Sequence, residues 1–265
     1  MRRVGVVTVL AVVMTFGATP AGAVTNGQPD GDGHPYIGAL VAESAPGYKR
    51  RFCSGTLVAP RIVVSAAHCF AGKDQIWVSF EAVYHPGIST IYHGRFVTAV
   101  DPDLYVGSAG YAGQYGNSDG FDIAVVHLDE APPITPAQLP RAGLLSSLEL
   151  RGQTFTAVGF GLSREDKTEG PNNFETNSDP SVRNVATQAF LSLQANLITL
   201  AQNPSTGHGG WCFGDSGSAN FVGDSDVMAS VATLGDGSCR AQGRGYRLDT
   251  DSARRFLASQ GVPLP

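Results

Sequence analysis

Gly209-Gly210-Trp211-Cys212-Phe213-Gly214-Asp215-Ser216-Gly217-Ser218 places a serine between glycines and directly after an aspartate. A hydroxyl is a weak nucleophile at neutral pH, so Ser216 carries chemistry only if the chain also supplies a base. Six histidines are available: His34, His68, His85, His93, His127 and His208. Most histidines pack or face solvent, and His68 is the one whose context would fix it. It follows the apolar, β-branched run 61–65 and precedes Cys69, which is able to tie that strand end covalently.

Length and composition bound the rest. The 265 residues, 42% of them apolar, suffice for one large all-β domain or two small ones with a sizeable core. Thirty-three glycines and 16 prolines favour short strands and turns over long helices. A net charge of −5, with no run of Lys and Arg interleaved with aromatics, argues against nucleic acid or an anionic membrane as partner. Residues 1–23 read as a signal peptide, with Arg2 and Arg3, an apolar stretch over 4–16 and the small-residue pattern Ala21-Gly22-Ala23. That stretch falls short of the roughly 20 apolar residues needed to span a bilayer, which favours a cleaved leader over an anchor.

A secreted, extracellular location follows as the expectation, and in that oxidising space the four cysteines form two disulfides. Four cysteines allow three pairings. Joining sequence neighbours, Cys53 with Cys69 and Cys212 with Cys239, closes loops that each contribute about 3 kcal/mol by restricting the unfolded chain. Zinc is the rival, but no CxxC or HxxxH spacing occurs, nor an EF-hand or Walker sequence, so no metal and no cofactor are expected.

Short β-type runs are predicted at 36–43, 52–59, 61–65, 75–84, 90–100 and 121–128, with a loop over 105–120. Residues 130–140 hold four prolines and no periodicity, and so join two halves. A second set follows at 153–160, 185–200 (a long strand or hairpin), 220–222, 227–234 and 245–249, interrupted by a polar loop over 163–183. Residues 251–259 carry a helical signature capped near Gly261. Two strand groups and a proline joint predict an all-β fold of two packed six-stranded antiparallel barrels, about 24–129 and 141–250, with the active site in the cleft between them.

Cys53-Ser54-Gly55-Thr56-Leu57 together with Val64-Ser65-Ala66-Ala67-His68-Cys69 resembles the trypsin/chymotrypsin family of serine peptidases. Phe121-Asp122-Ile123-Ala124-Val125 is similar to the segment bearing that family's triad aspartate, and Gly214-Asp215-Ser216-Gly217 to its nucleophile motif. Val158-Gly159-Phe160-Gly161-Leu162 is similar to the strand before its autolysis loop. Ser218-Ala219 departs from the usual Gly-Pro after this motif, and two disulfides look more like secreted bacterial members than animal ones.

The resemblance implies that Ser216 attacks, His68 shuttles the proton, Asp122 orients His68, and the N–H groups of Gly214 and Ser216 form the oxyanion hole. It further implies that Asp215 pairs with the amino group of Val24, exposed by signal peptidase at Val24-Thr25-Asn26-Gly27. The substrate pocket would have Gly210 at its floor, Trp211 narrowing it and Thr233-Leu234-Gly235 along its wall. A floor without a carboxylate disfavours Lys or Arg at P1 and suits small or medium apolar residues. Arg244, on the far wall, either favours an acidic P1 or faces solvent. The expectation is thus a monomeric serine endopeptidase acting on proteins or peptides, with protein protease inhibitors as further partners. The alternative is a catalytically silent binding protein on the same scaffold. An esterase with a G-x-S-x-G motif is disfavoured, because position 218 is serine and the order Ser, Asp, His is reversed.

Overall fold

A computed structural model describes residues 24–99, 121–162 and 181–265. The expected leader, the 105–120 loop and most of the 163–183 loop lie outside the described residues. The first eight strands are β1 (Gln28–Pro29), β2 (Ile37–Ala45), β3 (Tyr48–Ala59), β4 (Ile62–Ser65), β5 (Ile76–Ser79), β6 (Val83–Tyr84), β7 (Tyr92–Thr98) and β8 (Ala124–Leu128). Seven more follow: β9 (Thr154–Gly159), β10 (Ser181–Val182), β11 (Asn184–Leu193), β12 (Leu197–Ala201), β13 (Ala219–Val222), β14 (Met228–Gly235) and β15 (Gln242–Arg247).

Strands β2-β3-β4-β8-β7-β5 close one antiparallel barrel. A second runs β11-β12-β15-β14-β13-β9 and closes because β9 also pairs with β11. The expected two-barrel fold is therefore present. Closure leaves no open edge, and the apolar faces of the strands fill the two interiors. Val63, Val64, Val125 and Val126 are buried on the first barrel, Phe155, Ile198, Leu200 and Val231 on the second.

Register positions the site. In the antiparallel β4–β8 pair Ser65 faces Ala124, so the turn leaving β4 and the residues entering β8 emerge side by side. Those segments carry His68 and Asp122. On the other barrel β13 starts at Ala219, which faces Val231, so Ser216 is held just ahead of a paired strand. Gly217 N–H donates to Ala232 O and Ala232 N–H to Ser218 O, both at 2.8 Å.

Three boundaries differ from the sequence reading. The run at 75–84 is two strands, and the second, β6, pairs across to β10. The run at 185–200 is the β11–β12 hairpin, one of its two readings, while the last strand lies at Gln242–Arg247 rather than 245–249, where Gly243 and Gly245 masked it. Residues 24–29 pack on the second barrel, β1 pairing with β11 and Thr25 bridging Gly210, so the first barrel begins after them.

Between the barrels, Arg183 is 1% exposed and donates from Nε to Asp30 Oδ2 (2.7 Å), from Nη1 to the carbonyls of Ile37 and Phe80, and from Nη2 to that of Gly31. A buried guanidinium is tolerated only when its donors are matched in this way. The C-terminal helix, Asp251–Ser259, is capped by Thr250 Oγ1 accepting from Ala253 N–H and buries Ala253 and Leu257. Among the described residues, no helix is long and apolar enough to cross a membrane.

Candidate active site

His68 lies in the 3₁₀ turn Ala67–Phe70 that ends β4. Asp122, fully buried, takes two hydrogen bonds from it, His68 N–H to Oδ1 at 3.0 Å and Nδ1 to Oδ2 at 2.9 Å. The carboxylate thus fixes both the backbone and the ring of the histidine. Cys69 is bonded to Cys53, which anchors the same turn to β3. The second disulfide joins Cys212 to Cys239.

The serine turn of the other barrel presses on this assembly. Ser54 N–H donates to Ser216 O at 2.9 Å, and Cys69 Sγ lies 3.6 Å from that same carbonyl. Gly217, at φ +83°, leaves no room for a side chain, because a Cβ there would strike Ser65 and the Ser54 carbonyl. Only glycine permits both the positive φ and this approach of the two barrels. Gly214, at φ +93°, is likewise closed off, by Arg51. Among the described residues neither the Gly214 nor the Ser216 N–H donates to a backbone acceptor.

Asp215, next to the serine, is fully buried. Its Oδ1 accepts from Gly161 N–H at 2.7 Å and its Oδ2 from Cys212 N–H at 2.9 Å. Gly159 and Gly161 are glycines because the carboxylate fills the space their side chains would need. Burial pushes its pKa up to about 7, against the two N–H donors and the Arg51 charge, which lower it. Val24 is also fully buried, and Thr25 exchanges two 2.9 Å backbone hydrogen bonds with Gly210, five residues before Asp215.

A cavity of about 240 Å³ opens beside Ser216, lined by Trp211, Cys212, Phe213, Thr233, Leu234, Gly235 and Asp236, among others. Its lining departs from the sequence reading at Gly210. Gly210 is not part of the lining, since it packs on buried Gln188 and Gln202 instead. Trp211 lines the cavity, yet it is 3% exposed, its ring packed where side chains at Gly243 and Gly245 would stand. Arg244, between those glycines, does not line it.

Asp236, which the sequence reading missed, is an acid in the lining, but its carboxylate is occupied. It accepts from Ser238 Oγ and from the N–H groups of Ser238, Arg240, Ala241 and Gln242. Burial opposes its ionisation, but those donors outweigh burial and hold the carboxyl below its usual range. Its donors come from the turn over 238–242, which the Cys212–Cys239 disulfide ties to the serine segment.

A family model described as Trypsin matches residues 24–255. The chain belongs to the trypsin family. A trypsin of Saccharopolyspora erythraea is 30% identical over 218 residues, covering 78% of this chain and 84% of that protein. Among solved structures, HL collagenase matches with a TM-score of 0.63 at 18% identity, covering 91% of this chain and 100% of the other. Human heparin binding protein matches with a TM-score of 0.61 at 16% identity, over 91% and 98%. These two likenesses concern the fold.

Proposed function

We propose that this trypsin-family protein is a secreted serine endopeptidase that cleaves proteins or peptides through an acyl-enzyme on Ser216. The observation that carries the reading is the double hold of Asp122 on His68, with the Ser216 turn packed against the same strand end. His68 takes the proton of Ser216 as Oγ attacks the carbonyl, then returns it to the leaving amine. Asp122 keeps the Nδ1–H tautomer and stabilises the imidazolium. The N–H groups of Gly214 and Ser216 receive the oxyanion, and water then releases the acyl group by the same steps.

Signal cleavage after Ala23 frees the Val24 amine, which pairs with Asp215 and supplies the charge that this buried carboxylate otherwise lacks. The first residue of active secreted protein, read by N-terminal sequencing, is then Val24. An apolar P1 side chain suits the cavity, because the Asp236 carboxylate in its lining is consumed by its own loop. No metal or cofactor enters these steps. Labelling of the secreted protein by a fluorophosphonate, abolished in Ser216→Ala, tests the reading. Folded, correctly processed protein that takes no label would instead be a binding protein on the peptidase scaffold.

A further inference from the structure

Behind the cavity, three fully buried amide side chains from different strands or strand ends stand in a row. Asn220 Nδ2 donates to Gln188 Oε1 at 2.6 Å, Gln188 Nε2 to Gln202 Oε1 at 3.2 Å, and Gln202 Nε2 to Trp211 O at 3.0 Å. Ser230 Oγ donates to Asn220 Oδ1 at 3.4 Å and starts the row. Its direction is forced at the other end. A carbonyl can only accept, so Gln202 must turn its NH₂ to Trp211, and each earlier amide must then turn its oxygen toward the one before.

The peptide unit that receives the row has a second attachment. Its C=O belongs to Trp211 and its N–H to Cys212, and that N–H donates to Asp215 Oδ2 at 2.9 Å. Five hydrogen bonds therefore run head to tail from Ser230 into the Asp215 carboxylate. We propose that Gln202, with Gln188 and Asn220 behind it, is a positioning residue that orients and polarises the Trp211–Cys212 peptide so that Asp215 is held ionised beside the nucleophile.

Aligned amide dipoles strengthen one another, and a buried polar row is effective only when every member is satisfied. This one is: none of the three amides has an unpartnered atom. Gly210 and Gly243 leave the space it needs, since a Cβ on either would lie 2.6 and 2.9 Å from Gln202 Oε1. Asp215 is shielded from water, and among the described residues two N–H donors and the nearby Arg51 charge favour its ionised form. Losing or turning the Cys212 N–H removes one of the two donors. The proposal rests on the reading of Asp215 as partner of the Val24 amine.

The decisive variants are Gln202→Glu and Gln202→Met in the secreted, processed protein. A glutamate at 202 still accepts from Gln188, but it donates to Trp211 O only when protonated. Its kcat/KM relative to the parent at the same pH should fall roughly 10- to 100-fold at pH 8 and recover as pH falls toward about 5. A ratio that does not change with pH, or that stays at one throughout, overturns the proposal. Independently of turnover, amide exchange at Cys212, measured in a Ser216→Ala background, should quicken at least tenfold in Gln202→Met. Unchanged exchange overturns the proposal as well, and should Gln202→Met not fold, the isosteric Gln202→Glu carries both measurements. Parent protein that takes no fluorophosphonate marks failure of the catalytic reading instead, and the exchange measurement still decides the role of the row.

Discussion

Asp122 holds His68 at two points, the backbone N–H at 3.0 Å and Nδ1 at 2.9 Å, while itself fully buried. An asparagine there has one acceptor oxygen for two donors, so its NH₂ must face either the backbone N–H or the ring. Asp122→Asn should therefore lower kcat by about 10⁴-fold, the loss seen when this carboxylate is replaced in serine peptidases of this kind, with the fold retained. Unaltered turnover by steady-state kinetics would show that His68 is oriented by something else.

Gly161 and Asp215 compete for the same volume. Gly161→Ala would set a Cβ against the Asp215 carboxylate and its backbone nitrogen, which neither can yield without breaking the Gly161 N–H hydrogen bond. Overpacking of this kind costs about 1–3 kcal/mol. Thermal unfolding should register that loss together with strongly reduced fluorophosphonate labelling. A variant as stable and as reactive as the parent would refute the tight socket around Asp215.

The raised pKa of Asp215, about 7, gives the uncleaved chain a pH signature. The native state keeps a proton that the unfolded chain releases near its ordinary value of 3.8, so stability falls as pH rises from about 4 to 7, by at most about 1.4 kcal/mol per pH unit. If the freed Val24 amine pairs with this carboxylate as proposed, this loss should disappear. Such pairing would raise the amine pKa, and the stability it contributes would be lost as pH rises through that value. Denaturant titration of Ser216→Ala protein, with and without the leader, compares the two slopes, and equal slopes would argue against the amine pairing.

The Cys53–Cys69 disulfide both closes a loop and braces the turn that carries His68. Its separation of 16 residues corresponds to about 3 kcal/mol of stabilisation. Replacing both cysteines by alanine should cost about that much in chemical denaturation and also lower kcat, because Cys69 lies between His68 and the Ser216 carbonyl. Loss of stability with wild-type kcat would reduce the bond to a staple.

Asp236 should act on substrate binding through its loop. Asp236→Ala frees five donors at the cavity rim, so KM for apolar P1 substrates should rise roughly tenfold with little change in kcat. A peptide-library digest of the parent should show cleavage chiefly after apolar residues. Cleavage after Lys or Arg would mean that Asp236 serves as the specificity charge after all.

Much of this molecule was legible in its sequence because the signals are local. Alternating and β-branched runs marked most strands, four prolines marked the joint, and Gly261 marked the end of the helix at Asp251–Ser259. The segments around His68, Asp122 and Ser216 each carry a recognisable pattern of neighbours. The pocket was read less well, for a physical reason. Gly210 was assigned from spacing to the serine, but what lines a cavity depends on what the opposite strands leave empty. Gly243 and Gly245 leave room for the indole inside the barrel, and Gln188 and Gln202 occupy the volume against Gly210.

The sequence by itself determined the fold class, the two-barrel division and the family, because hydrophobic period, turn residues and contiguous motifs are written along the chain. Only the tertiary structure decided which groups meet. Barrel closure brings Asp122 to His68, presses Ser216 against the disulfide turn, buries Asp215 among Gly159, Gly161 and the Cys212 N–H, and lines up Asn220, Gln188 and Gln202 across 32 positions of sequence. Hydrogen bonds and burial depend on distance in space, and no local pattern around a lone glutamine or aspartate records what the opposite strand will place beside it.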